Sequence, residues 1–146
     1  MATIREQALE AILAKLRLVF PDQDVARNRN PRSRVAAAGD VVLYDGEEAG
    51  RLSEMSPPYF IITWSADLQI FIQEPDSAVR DQCLDDLLVT LAAAFPEDNL
   101  ETLGGLVQFV LPRNLDLLDE PVEGGADIKA AVINLEFEYG TSSSVG

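Results

Sequence analysis

The chain has 146 residues, 47% of them hydrophobic, and a formal net charge of −14 from 25 acids against 11 bases. It contains no histidine and one cysteine, Cys83, which excludes Ser-His and Cys-His nucleophile pairs and a Cys/His zinc centre. The length fits one domain with a sizeable core, and no apolar run approaches the roughly 20 residues that span a bilayer.

In chain order, the first expected element is an amphipathic helix over residues 3–20. Thr3 with Glu6 three residues on is a capping-box signature, and Ile4, Ala8, Ile12, Leu16 and Val19 recur at helical spacing. Pro21 ends the helix, since proline disfavours helical backbone at the residue before it. The opening residues lack a basic start followed by an apolar block, so no signal peptide is expected. Residues 25–29 read as a short strand and 40–45 as a second, closed by the turn pair Asp45-Gly46. A long loop is expected over 46–58. The acids Asp45, Glu47 and Glu48 in this region lack the alternating ligand spacing of a calcium loop and read as a solvated turn.

Residues 59–73 carry the strongest strand pattern. Ile62, Trp64, Ala66, Leu68, Ile70 and Ile72 fall on one face, and mostly polar residues fall on the other. Phe71 interrupts the polar face and reads as an edge or interface residue. Pro75-Asp76-Ser77 opens a second helix that reaches Phe95, with Val79, Cys83, Leu84, Leu87, Leu88 and Leu91 as its apolar stripe and Cys83 a buried thiol. Leu103-Gly104-Gly105 is a turn, 106–111 an apolar strand, 112–125 an acidic loop, and 126–139 the last strand. The serine-rich segment 140–146 is expected to be a flexible tail. This order predicts an α+β fold: one domain over 1–139, with two helices packed on one face of a mostly antiparallel sheet.

The lone cysteine fits a reducing compartment. Glycine pairs at 104–105 and 124–125 lack a Walker lysine and the GxGxxG spacing, so they cradle no phosphate. Four of the eleven bases, Arg27, Arg29, Arg32 and Arg34, crowd into one short segment. They read as a solvated loop balancing an acidic surface, or as a contact with an acidic neighbouring subunit. No aromatic residues are interleaved with them, so a nucleic-acid site is disfavoured.

As an ordered whole, the chain resembles the tail-terminator family of tailed phages, the family of the lambda minor tail protein U. The leading helix, Val25-Ala26-Arg27-Asn28-Arg29 and Val41-Val42-Leu43-Tyr44-Asp45-Gly46 carry the likeness. So do the alternating strand 59–73, the helix after Ser77, Thr102-Leu103-Gly104-Gly105-Leu106 and the closing Tyr139-Gly140-Thr141. The resemblance implies a structural virion protein, without cofactor or catalysis, that forms a homo-hexameric ring. The ring would cap the tail tube, stop its polymerisation and join a head-completion or connector protein, with DNA passing unbound. It implies a place in the virion tail after assembly in the host cytoplasm. Arg27, Arg29, Arg32 and Arg34 are then expected to pair with Asp116, Asp119 and Glu120 of a neighbour. Asp45, Glu47, Glu48, Arg51 and Met55 would serve as docking-loop residues.

Three other readings compete. One is a connector or tail-completion subunit at an adjacent level of the tail. Another is a monomeric binding module. The third rests on Asp127-Ile128-Lys129 with the earlier Pro75-Asp76, which resembles the PD-(D/E)xK pattern of metal-dependent nucleases, where Asp76, Asp127 and Lys129 would act.

Overall fold

The computed structural model describes residues 2–31 and 34–146; Arg32 of the arginine segment lies outside them. Helix α1 (Ile4–Val19) is followed by strands β1 (Asp24–Arg27), β2 (Asp40–Met55) and β3 (Pro58–Gln73). Helix α2 (Ser77–Ala94), strand β4 (Phe109–Glu120) and strand β5 (Ile128–Thr141) complete the chain. The strands form one sheet in the order β1-β2-β3-β5-β4, parallel between β1 and β2 and antiparallel elsewhere. One core joins Ala8, Leu9, Ile12, Leu13 and Leu16 of α1 and Leu84 and Leu91 of α2 to the sheet face bearing Ile62, Leu68, Ile70, Ile133, Leu135 and Phe137. The fold is the expected α+β arrangement.

Both helices start on side-chain caps. Thr3 Oγ1 accepts the Glu6 backbone N–H at 3.1 Å, and Asp76 Oδ1 accepts those of Ala78 and Val79. The helices differ in how deeply they pack. In α2, Leu84 and Leu91 are buried, but Val79 is 45% exposed, Val89 63% exposed, and Cys83 is an exposed thiol. The expected stripe was too wide because α2 is apolar on several sides, and spacing alone cannot tell which side meets a sheet.

Strand lengths differ most from expectation. The expected loop 46–58 is a continuation of the β2–β3 hairpin, paired from Glu47↔Ser65 through Met55↔Pro58 and turning at Ser56-Pro57, a cis peptide bond. Its residues are exposed on both faces of the ribbon, so no apolar alternation marks it as a strand. Likewise, most of the expected acidic loop 112–125 is the second half of β4, paired from Pro112↔Leu135 to Glu120↔Ile128 with one irregularity after Arg113.

The face of the sheet away from the helices has a small cluster of its own. Val42, Phe71, Ile128 and Ala130 are buried there, with Val35, Tyr44 and Val122 packed against them. Phe71 is therefore covered within the chain by the segments that flank the sheet's upper end, and it is neither an edge nor an interface residue. Strand β5 runs on through Gly140 and Thr141, past the expected domain end at 139. Beyond it, Arg5 Nη1 donates to the Val145 carbonyl at 2.7 Å and Arg51 Nη2 to that of Ser144 at 3.0 Å. These contacts lay the terminal residues between the start of α1 and the outer half of β2. Among the described residues, no helix is long and apolar enough to cross a membrane.

Candidate interaction surfaces

Between Tyr44 and Glu47, β2 carries a bulge. A bulge strips local backbone groups of ladder partners and turns the strand, and side chains satisfy them here. The Trp64 indole N–H donates to the Asp45 carbonyl, and the Asp45 N–H donates to Asn28 Oδ1 at 3.1 Å. Gly46 sits at φ +74°, where an added Cβ would lie 1.9 Å from the Ser65 carbonyl oxygen. Only glycine fits that place.

The bulge brings Asp45 to Arg27. Arg27 Nε donates to Asp45 Oδ1 at 2.8 Å, while Nη1 and Nη2 donate to the two Glu6 oxygens at 2.7 and 2.8 Å. Nη1 also reaches Glu10 at 2.5 Å. The side chain is only 13% exposed. Its hydrogen bond holds the Glu6 carboxyl below the usual carboxylate range, and the Glu6, Asp45 and Glu10 carboxylates push the Arg27 guanidinium higher still. Glu6 thus does not complete the capping box by reaching back to Thr3; it ties α1 to β1. Arg29 is likewise engaged within the chain, 3.0 Å from Asp24 and 3.4 Å from Asp40. Of the described arginines in the segment, Arg34 is the exposed one, beside the 122–126 turn.

The five expected docking residues lie on a strand. Asp45 serves Arg27 and Asn28. Glu48 accepts from Arg51 Nε at 3.1 Å, which holds the Glu48 carboxyl below its usual range. Arg51 also stacks its guanidinium 5.3 Å from the Phe60 ring centroid. Glu47, with Ser65, Asp67 and Asn134, lines a shallow polar hollow on the helix-free face. Met55 is 72% and Leu52 70% exposed. Because β1 pairs only with residues 40–43, the β2 backbone from Tyr44 to Met55 has β3 on one side and no strand on the other, among the described residues.

Asp116, Asp119 and Glu120 lie on β4, which is the opposite edge of the sheet. Between β4 and α2 runs an open groove made of two hollows that share Leu88. One, about 210 Å³, is floored by Leu91, Leu115 and Ile133 and flanked by Arg113; the other, about 480 Å³, is lined by Leu84, Leu117 and Lys129. Sequence reasoning missed this groove, because its β4 wall falls in the stretch read as a loop.

The nuclease residues are occupied otherwise. Asp76 caps α2, Asp127 accepts the Val122 N–H at 3.4 Å, and Lys129 Nζ donates to Asp81 Oδ1 at 2.8 Å. No group of three or more potential metal-ligating side chains occurs among the described residues.

Charge is distributed unevenly over this frame. The described residues of 2–73, which include α1 and the β1-β2-β3 side, hold seven bases against ten acids. Residues 74–146, which form α2 and the β5-β4 side, hold three bases against fifteen acids. The helix-free face is acid-rich as well. Asp67, Glu136, Glu138 and Asp116 alternate along their strands with residues of the helix-covered face. A search of protein-family models returns no match to this chain, and a search of curated proteins returns none either.

Proposed function

We propose that the chain is a structural subunit of a phage tail, a terminator whose copies form a six-membered ring on the end of the tail tube. The ring stops tube growth and offers the surface that joins the head-completion or connector protein. The observation that carries the reading is the helix-free, acid-rich sheet face lying between two unlike open edges. Unlike edges suit a closed ring, in which each copy meets its neighbours through two different surfaces. An acidic sheet face turned to the lumen repels DNA phosphates and lets the duplex pass unbound. The α+β fold agrees with the fold that the family resemblance implies, and the virion tail is the place this reading gives the protein.

Electron microscopy of the tail-tube protein of the same particle, polymerised with and without this chain, tests the proposal. Short tubes bearing a ring at one end are expected. Uncapped tubes of unchanged length would contradict it.

A further inference from the structure

We infer that the groove between α2 and β4 receives an amphipathic, base-flanked helix of a partner protein. The inference goes beyond the ring reading and does not rest on it. Its first support is shape. The helical layer is incomplete over β4, where Leu115 and Leu117 remain 54% and 49% exposed. With Leu88, Leu91 and Ile133 they give the groove an apolar floor. Between Ala78 and Ala92 the groove follows α2 for about 21 Å, or about four helical turns. A sheet buries its apolar face under helices. A helix laid beside α2 would cover these leucines with apolar residues at positions i, i+3, i+4 and i+7.

The second support is charge. Asp81 and Asp85 stand on the α2 wall of the groove. Asp119 stands on the β4 side: it lies opposite Lys129 in register and two residues from Leu117, so it shares their face. Lys129, the base within the groove, is engaged by Asp81 at 2.8 Å. Asp85 and Asp119 are exposed and, among the described residues, form no ion pair. Arg113 does not balance them. Register sets it opposite Asn134, and its guanidinium approaches Glu136 of the helix-free face at 3.7 Å. An apolar floor between acidic walls selects an apolar stripe with cationic flanks and repels anionic partners. A second copy of this chain offers no such helix. The apolar stripe of α1 is buried in the core, α2 is the groove's own wall, and the exposed β2 rim carries Glu47, Glu48 and Glu54.

The test is a titration of the full chain against a fluorescein-labelled amphipathic peptide of leucine and lysine, with leucines at heptad spacing. Fluorescence anisotropy reads affinity and circular dichroism reads helix formation. Saturable one-to-one binding with a gain of helix is expected. A scrambled peptide of the same composition, and a leucine–glutamate peptide of the same spacing, should each bind at least about tenfold more weakly. Equal binding of either one overturns the inference. Asp85→Lys with Asp119→Lys, two exposed changes, should weaken the leucine–lysine peptide by about tenfold or more. Glu54→Lys with Glu97→Lys makes the same change in net charge away from the groove and should leave its affinity within about twofold. Equal losses in the two double variants would mean diffuse attraction to an acidic protein, and so would overturn the site. Leu115→Ser with Leu117→Ser should also lose the peptide while melting as wild type does; the charge variants decide the matter if that variant does not fold. A groove variant that breaks up a wild-type oligomer, with no peptide binding to the wild type, would assign the groove to a second copy and overturn the inference.

Discussion

Arg27 grips Glu6 with both arms of its guanidinium, Nη1 to Oε1 at 2.7 Å and Nη2 to Oε2 at 2.8 Å. The two residues are 21 positions apart in the chain, so this fork fixes where the first helix sits on the sheet edge. Through Asp45, the same side chain holds the bulge at which β2 leaves β1 and becomes an open edge. An arginine that sequence reasoning placed between subunits is instead a strut within one.

Removing that strut should destabilise the monomer. Arg27→Ala removes both guanidinium bonds to Glu6 and the one to Asp45, which keeps only its Asn28 donor, and hydrogen bonds to charged groups support a loss of about 1.5–3 kcal/mol. Arg27→Lys should recover only part of it, because an ammonium cannot reproduce the planar fork. Urea unfolding of the two variants measures both losses.

The same pair sets an acid limb of stability. The Glu6 carboxyl is held below its ordinary value by Arg27, so its contribution is fully present above the ordinary carboxylate range. That contribution is lost as pH falls through the ordinary value toward the lowered one. Glu6→Gln should therefore be less stable than wild type near neutrality, and the gap should close on acidification. A gap that stays constant with pH would show that the pair is not ionic.

Gly46 and Gly50 both lie on β2, yet they should respond oppositely to substitution. An alanine at Gly46 needs φ +74° and meets the Ser65 carbonyl, whereas at Gly50 an added Cβ meets nothing within 4 Å. Gly46→Ala should cost at least about 2 kcal/mol, the scale of left-handed backbone strain with a clash added. Gly50→Ala should stay within about 0.5 kcal/mol of wild type. Thermal melts of the two variants are sufficient.

Helix α2 offers a third contrast. Leu84→Ala should cost about 2–4 kcal/mol by opening the core, while Val89→Ala on the exposed side should be nearly neutral. Cys83, exposed on the same helix, should react with a thiol reagent in the native protein at close to the rate seen in denaturant. Protection of the native thiol would mean that this side of α2 is covered.

These contrasts also mark what the sequence made legible. Helix starts were readable because Thr3 and Asp76 announce themselves by residue type. The strands over 59–73 and 126–139 were readable because one of their faces is buried along most of its length, so alternation survives in the sequence. The far halves of β2 and β4 were not, since Glu47 to Met55 and Arg113 to Glu120 are exposed on both faces and resemble solvated loops. The arginine network was hidden for a different reason. Arg27 finds its carboxylates on α1 and at a bulge, and neither the register nor the bulge is written in local composition.

Native mass spectrometry of the purified chain across a wide concentration range decides whether the ring closes. One closed species of six copies of the 15.9 kDa chain is expected, in equilibrium with monomer at low concentration. A monomer throughout, or an open-ended ladder of sizes with no preferred closure, would contradict a ring built from two unlike edges.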